Sequence, residues 1–155
     1  VEGTIKRVDF DHAIDQILDE LKYHHNFDHI DIKKEVRGKG QFYNDDMRVS
    51  IILKNVITNA VKYLNTNRSD SKIQIKVTYS KNSAQIIVED NGIGIRKEYL
   101  NNVYNMFYKA NDRVEGSGLG LYIVKQTVDR LKGKIDIESE YGEGTRVTLS
   151  LPSLK

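Results

Sequence analysis

Two asparagines and a lysine share one stripe of the longest predicted helix. At 100° per residue Asn55, Asn59 and Lys62 lie within about 60° of one another, and Tyr63 lies beside them. Asparagine is unfavourable inside a helix because its amide competes with the backbone for hydrogen bonds. The amide oxygens could ligate a hard cation such as Mg²⁺, and the lysine could bind phosphate. Taken alone, the segment is more simply interpreted as a solvated helix face that carries two amides.

A carboxylate and two glycines follow a predicted strand. The segment 89–95 reads Glu-Asp-Asn-Gly-Ile-Gly-Ile. Asp90 could accept a hydrogen bond from an exocyclic amine while the glycine backbone lies close to a ring. Asn91-Gly92 is also a strong turn dipeptide, which favours a simple turn. A plain hairpin, however, does not need a second glycine, Gly94, between two isoleucines.

The third candidate is a glycine-rich segment that opens a predicted helix. A helix N-terminus offers free N–H groups and the positive end of the helix dipole, and glycines let phosphate approach them. The spacing differs from the dinucleotide pattern G-x-G-x-x-G and lacks the G-K-[ST] ending of a P-loop. If phosphate binds there, the nucleotide site is neither a dinucleotide-binding loop nor a P-loop, but a third kind. The segment is Gly116-Ser117-Gly118-Leu119-Gly120-Leu121.

Composition and charge exclude several classes of function. The 155 residues are enough for one domain, and a net charge of +2 without a dense basic run gives no reason to expect nucleic acid. The absence of cysteine excludes disulfides and thiolate chemistry. No apolar run approaches the ~20 residues of a membrane span. His25 and His29 could be written as a metal site, but without a regular helix to hold them we interpret them as loop residues.

The elements that must position these residues alternate unevenly between strands and helices. Apolar residues at helical spacing predict a helix over about 46–64, and alternation predicts a hairpin of strands 73–79 and 84–90. Adjacent hairpins favour an α+β layer over a doubly wound parallel sheet. The remaining predictions are strands 4–10, 134–140 and 145–151, an extended segment through residues 30–36, a helix through residues 13–21, a short helix 96–104, and a helix 118–131 with Gly133 as its C-cap.

Taken in order, these segments resemble the ATP-binding catalytic domain of sensor histidine kinases, in the GHKL ATPase superfamily. Five motifs in order, at fitting spacings over essentially the whole chain, are specific. The resemblance implies a Bergerat-type fold, a two-layer sandwich of a mixed, mostly antiparallel sheet covered on one face by about three helices. It also favours a functional role for the asparagines. The segments are the N box 53–63, the G1 box 90–94, the F box 103–109, the G2 box 116–121 and the last glycine motif 142–145.

At the phosphate end, the resemblance implies that Asn59 ligates Mg²⁺ and that Asn55 supports the metal and the phosphates. It implies a phosphate contact for Lys62. Lys109 stands where the family usually has arginine, and the two differ in bidentate phosphate contacts. Tyr104 likewise stands where the F box usually opens with phenylalanine. The implied phosphate-binding backbone is that of Gly116, Gly118, Leu119, Gly120 and Leu121, next to a short ATP lid over 108–117.

At the base end, the resemblance implies that Asp90 accepts a hydrogen bond from the adenine amino group. Tyr63 would pack beside the adenine or the ribose, and Gly92 and Gly94 would shape the base pocket. Thr145, in the last glycine motif, is the remaining residue that we expect to bind the nucleotide. The implied cofactors are therefore ATP and Mg²⁺.

The residue four positions before Asn59 discriminates between activities within the superfamily. Members that activate water, and their serine-kinase relatives, carry glutamate there as a base, whereas this chain has Asn55. An amide cannot take a proton from water or serine, but a neutral histidine already has a nucleophilic nitrogen. We therefore expect transfer of the γ-phosphoryl group to histidine, and neither ATP hydrolysis nor serine phosphorylation.

The acceptor histidine is expected on another domain. None of His12, His24, His25 and His29 lies in a pattern like His-Glu-x-x-Thr-x-Pro. We therefore expect residues 1–155 to be the catalytic domain alone, excised from a longer protein, without the dimerisation domain. Its partners would be that histidine-bearing domain and, indirectly, a response regulator. We expect a cytoplasmic monomer without direct membrane contact, whether or not the full-length protein is membrane-anchored. The alternative is a nucleotide-binding switch module that does not transfer phosphate.

Overall fold

In the described part of the chain, a five-stranded mixed sheet is covered on one face by three α-helices. The computed structural model describes residues 4–24, 27–105 and 120–155. The helices are α1 (Phe10–Leu21), α2 (Asp46–Lys62) and α3 (Gly120–Arg130). The strands are β1 (Ile5–Arg7), β2 (Asp31–Lys39), β3 (Tyr43–Asp45), β4 (Lys72–Ser80), β5 (Ser83–Asp90), β6 (Lys134–Glu140) and β7 (Gly144–Pro152). The predicted α+β class and layering are confirmed.

The order of the main sheet brings the middle of the chain next to its end. The strands are arranged β2-β4-β5-β7-β6, with β2 and β4 parallel and the other neighbouring pairs antiparallel. Asp90, the last residue of β5, is opposite Thr145 near the start of β7. Two residues that are far apart in sequence therefore meet at one end of the sheet.

Helix α2 forms the centre of the core. Asp45 caps its N-terminus by accepting a hydrogen bond from the backbone N–H of Arg48 at 3.2 Å. The helix ends at Lys62, two residues before the predicted end, with Tyr63 as its C-cap. The predicted apolar face is confirmed, since its residues are buried against the sheet and the neighbouring helices. These residues are Val49, Ile52, Leu53, Val56, Ile57, Ala60 and Val61.

The first strand is shorter than predicted and lies outside the main sheet. It covers Ile5–Arg7 instead of 4–10 because Asp9 caps α1, accepting from the backbone N–H of His12 at 3.0 Å. It pairs antiparallel with β3, a three-residue strand that the sequence analysis did not predict. Three residues are too few for an alternating pattern to be recognised.

Helix α3 ends at Arg130, one residue before its predicted end, and its left-handed cap residue lies one position before the predicted Gly133. The left-handed residue is Lys132, with φ of 62°, and its N–H donates to the carbonyl of Asp129 at 3.1 Å. The N–H of Gly133 then donates to the carbonyl of Val128 at 2.9 Å, which completes a Schellman motif. Glycine is needed at 133 for a different reason, because a Cβ there would lie 2.5 Å from the carbonyl oxygen of Ser150.

Replacing Lys132 by glycine should stabilise the domain. A left-handed lysine carries a steric cost that glycine avoids, so the free energy of unfolding should rise by about 0.5–1 kcal/mol in urea titrations. Lys132→Ala is the matched control, since it removes the side chain but keeps the unfavourable φ, and it should show no gain. An equal gain in both variants would contradict the backbone explanation.

Candidate functional site

A pocket lies between α2, the start of α3 and the adjoining ends of β5, β6 and β7. Its polar side chains are Asn59, Tyr63, Asp90 and Thr145. A mainly apolar cavity with a few convergent polar groups is typical of a small-molecule site. The apolar side chains in its wall are Val56, Ala60, Val88, Ile95, Val103, Leu121, Ile137 and Val147.

The Asp90 carboxylate is a desolvated hydrogen-bond acceptor at the end of β5. Burial raises its pKa from the ordinary 3.8 to about 6, although the backbone N–H groups of Gly92 and Thr145 act in the opposite direction. Oδ1 accepts from the Gly92 N–H at 2.9 Å. The backbone therefore fixes the carboxylate in place. A hydrogen-bond donor on a ligand would supply the hydrogen bond that water provides to an exposed carboxylate.

The loop after Asp90 packs tightly against two other segments. A Cβ on Gly92 would collide with the carbonyl oxygen of Tyr63, at the end of α2. Gly94 has φ of 71°, and a Cβ there would collide with the carbonyl oxygen of Glu140. Gly94 lines the pocket, whereas Gly92 fixes the loop against α2 from behind. The two glycines therefore allow close backbone contact, which a simple hairpin turn would not require.

Asn91 is a supporting residue that the sequence analysis interpreted only as part of a turn. Its Nδ2 donates to the carbonyl of Asp70 at 2.9 Å, and its Oδ1 accepts from the N–H of Lys72 at 2.8 Å. Both bonds connect the loop to the beginning of β4, about twenty residues away along the chain. Asn-Gly signals a turn, but no local pattern indicates these partners.

The predicted stripe on α2 is divided between the pocket and the helix surface. Asn59 lines the pocket and faces the start of α3, where a Cβ on Gly120 would lie 3.1 Å from its Oδ1. Its side chain forms no hydrogen bond with any residue in the described ranges. Asn55, half-buried, donates through Nδ2 to the carbonyl of Ile51 at 2.8 Å. Asn55 and Lys62 lie on the same helix but do not line the pocket.

Several predicted site residues fall outside the described residues. Of the predicted site residues that the structure does describe, six line one pocket, namely Asn59, Tyr63, Asp90, Gly94, Leu121 and Thr145. The predicted short helix 96–104 is a 3₁₀ helix over Lys97–Asn102. The predicted residues outside the described ranges are Lys109, Gly116, Gly118 and Leu119, together with the lid 108–117 and the F-box residues from 106 onward.

Residues 4–24, 27–105 and 120–155 contain no group of three or more His, Cys, Asp or Glu side chains arranged to hold a metal ion. None of their helices has the length and apolar character needed to cross a membrane.

The raised pKa of Asp90 predicts a pH dependence of stability. Well below pH 3.8 the carboxyl group is protonated in both the folded and the unfolded chain, whereas between about pH 4 and 6 mainly the folded chain keeps the proton. The contribution of Asp90 therefore becomes less favourable as pH rises through this window, by up to about 3 kcal/mol.

Urea unfolding of the parent chain and of Asp90→Asn between pH 4 and 7 measures this contribution. The variant should gain stability relative to the parent as pH rises, and the ¹³C resonance of the Asp90 carboxyl should titrate near pH 6. If the stabilities of the parent and of Asp90→Asn changed with pH in parallel, and the Asp90 carboxyl titrated near pH 4, the desolvation of Asp90 would be contradicted.

The chain matches a known family over most of its length. Residues 44–155 match the family model described as histidine kinase-, DNA gyrase B-, and HSP90-like ATPase. The sensor histidine kinase AtsR of Burkholderia thailandensis is 30% identical over 141 residues, which are 88% of this chain and 23% of AtsR. The sensor protein RprX of Bacteroides fragilis is 36% identical over 117 residues, which are 73% of this chain and 22% of RprX. The chain thus spans under a quarter of the length of these relatives.

Solved structures share the fold. The mycobacterial sensor histidine kinase MprB superposes with a TM-score of 0.78 and 23% identity, covering 96% of this chain and 97% of that one. Full-length ShkA in complex with AMPPNP superposes with a TM-score of 0.82 and 21% identity, covering 98% of this chain and 32% of that one. The family match, the order of the motifs and the shared fold agree, and the chain therefore belongs to the histidine kinase-, DNA gyrase B- and HSP90-like ATPases.

Proposed function

We propose that this chain binds ATP with Mg²⁺ and transfers the γ-phosphoryl group to a histidine on a separate dimerisation domain in two-component signalling. The observation that carries the proposal is the desolvated Asp90 carboxylate in the wall of an apolar pocket that also contains Asn59 and Thr145. Residues 1–155 would be the catalytic domain of a longer cytoplasmic or membrane-anchored kinase. The acceptor domain and a response regulator would be its partners.

The base end of the pocket fits adenine. Valine and isoleucine side chains can enclose a purine ring, and Asp90 supplies an acceptor where the ring edge would lie. Adenine carries an amino group at position 6, whereas guanine and hypoxanthine carry a carbonyl oxygen there. A carboxylate acceptor therefore favours adenine, because a carbonyl oxygen would leave it without a donor.

The other end of the pocket fits Mg²⁺ and phosphates. The amide of Asn59 faces the start of α3, where the positive end of the helix dipole favours anions. Its oxygen is a suitable ligand for Mg²⁺, which when bound would neutralise charge on the phosphates. Asn55, one turn earlier on α2, would support this arrangement. Lys62 and Lys109 would contribute positive charge to the phosphates.

Transfer to histidine is favoured over hydrolysis by the chemistry of α2. Asn55 has no basic group, and it already donates its amide to the carbonyl of Ile51. A neutral histidine can attack the γ-phosphorus without a base, so that the N–P bond forms as the bond to the ADP oxygen breaks. AtsR, one of the relatives, is named as a sensor histidine kinase, which agrees with this activity.

Transfer is tested by mixing the chain, ATP labelled at the γ-phosphate, Mg²⁺ and a histidine-bearing dimerisation domain. We expect acid-labile, alkali-stable label on that domain and little free phosphate from the chain alone. Tight binding of ATP without transfer would support a nucleotide-binding switch module. Rapid release of free phosphate by the isolated chain would contradict the role given to Asn55.

Replacing Asn59 by alanine should remove the Mg²⁺-dependent part of nucleotide affinity. Calorimetric titrations of ATP with and without Mg²⁺ should show that Mg²⁺ strengthens binding to the parent by at least about tenfold and has almost no effect in the variant. Asn82→Ala is the matched control, because Asn82 lies in the exposed β4–β5 turn at the opposite end of the sheet. A variant that keeps the full Mg²⁺ effect would refute the metal role.

Replacing Asp90 by asparagine should reduce selectivity for ATP over GTP. An amide can rotate to donate to a carbonyl oxygen, so the ratio of the two affinities should fall by about ten- to a hundredfold. Glu89→Gln is the control, since Glu89 lies on the exposed face of the sheet and pairs with Arg146 at 3.5 Å. Unchanged selectivity in Asp90→Asn would show that the base is recognised elsewhere.

A further inference from the structure

One hydroxyl group connects three segments behind the pocket. Ser139, on β6, lies opposite Thr145 in the β6–β7 register. Its Oγ accepts from the N–H of Ile95 at 2.7 Å, lies 2.9 Å from the carbonyl oxygen of Gly144, and lies 2.8 Å from Oγ1 of Thr145. Ile95 and Thr145 both line the pocket, whereas Ser139 itself does not.

The donors and acceptors leave only one arrangement that satisfies all three contacts. A serine hydroxyl has one hydrogen and two lone pairs. The Ile95 N–H can only donate and the Gly144 carbonyl can only accept, so the hydrogen of Ser139 is used on Gly144. The second lone pair of Ser139 must then accept the hydrogen of the Thr145 hydroxyl. The Thr145 hydroxyl therefore has no hydrogen left to donate and can present only lone pairs to the pocket.

This arrangement places two acceptors side by side. Thr145 is the cross-strand partner of Asp90, and its backbone N–H also stabilises the Asp90 carboxylate. An amino group has two hydrogens, so one can bind to Asp90 and the other to Thr145, directly or through a water molecule. A carbonyl oxygen at the same position would face two acceptors and no donor.

We propose that Ser139 is a positioning residue for base selectivity: it fixes the Thr145 hydroxyl as an acceptor, so that Thr145 and Asp90 together recognise a 6-amino purine and reject a 6-keto purine. The inference rests on the proposed nucleotide function and deepens it. A purely structural Ser139 would support the β6–β7 turn, and its loss would weaken binding of every nucleotide by the same factor. The ratio between two nucleotides separates the two roles.

The experiment compares ADP with IDP, which differ in the amino or keto group at position 6 and in the N1 hydrogen that accompanies the keto group. Calorimetric titrations of the whole chain should show a clear preference for ADP in the parent. In Ser139→Ala the Thr145 hydroxyl is free to turn and donate to the keto oxygen, so the preference should fall by about tenfold, mainly through tighter IDP binding. Ser139→Thr keeps the hydroxyl and should keep the preference.

A double-mutant cycle with Thr145→Val shows whether Ser139 acts through Thr145. Thr145→Val alone should lower the preference, and adding Ser139→Ala should change the ratio no further. If Ser139→Ala does not fold, Ser139→Cys tests the same point, because a thiol is a weak hydrogen-bond partner and should also lower the preference.

Two results would overturn the positioning role. One is an equal loss of ADP and IDP affinity at an unchanged ratio. The other is a fall in the ratio that persists in the Thr145→Val background. A parent chain that binds neither nucleotide would overturn the proposed function itself, and this outcome is distinct from an unchanged ratio.

Discussion

The structure around the pocket depends on the burial of one carboxylate, that of Asp90. Asp90 must accept hydrogen bonds where little water reaches it, and unmatched burial of a charged group is costly. The backbone N–H groups of Gly92 and Thr145 supply part of the compensation. For this to happen the chain must turn sharply after β5, and β7 must start beside that turn. The register of the β5–β7 ladder meets this requirement because it places Thr145 opposite Asp90, and the glycines of the loop allow it to pack closely against the carbonyl oxygens of Tyr63 and Glu140.

The supporting contacts come from distant parts of the chain. Asn91 ties the loop to the beginning of β4, the Ile93 N–H donates to the carbonyl of Tyr63 at 3.0 Å, and the Gly142 N–H donates to the carbonyl of Ile93 at 2.7 Å. Ser139 adds a hydroxyl bridge from β6. The loop is therefore held by α2, β4 and the β6–β7 hairpin together, which fixes the pocket wall before any ligand binds. Such preorganisation lowers the entropic cost of binding.

The sequence predicts the regular parts of this fold well. The period of α2 and the alternation of β4 and β5 are strong local signals, and the uneven order of strands and helices with adjacent hairpins predicts the α+β architecture. Asn59, Asp90 and Thr145 meet around one pocket, as the resemblance implies. The roles of these residues toward ATP and Mg²⁺ stay predictions, as do those of Lys109 and the G2-box residues outside the described ranges.

What the sequence did not predict depends on long-range or non-periodic geometry. The partners of Asn91 and Ser139 are set by tertiary packing, and an asparagine or serine in a polar segment has many other interpretations. The left-handed Lys132 was missed because glycine is the usual residue at that position, and Gly133 follows immediately. Strand β3 was missed because it has only three residues. Each miss concerns a residue whose conformation is decided by its neighbours in space.

Recognition of adenine by Asp90 is tested most directly by a crystal structure of this chain with Mg²⁺ and AMPPNP. We expect the adenine ring between α2 and the sheet, with its amino nitrogen about 2.7–3.2 Å from the Asp90 carboxylate. A base that binds outside this pocket, or an Asp90 carboxylate that contacts only protein atoms in the complex, would contradict the role of Asp90 on which the proposed function depends.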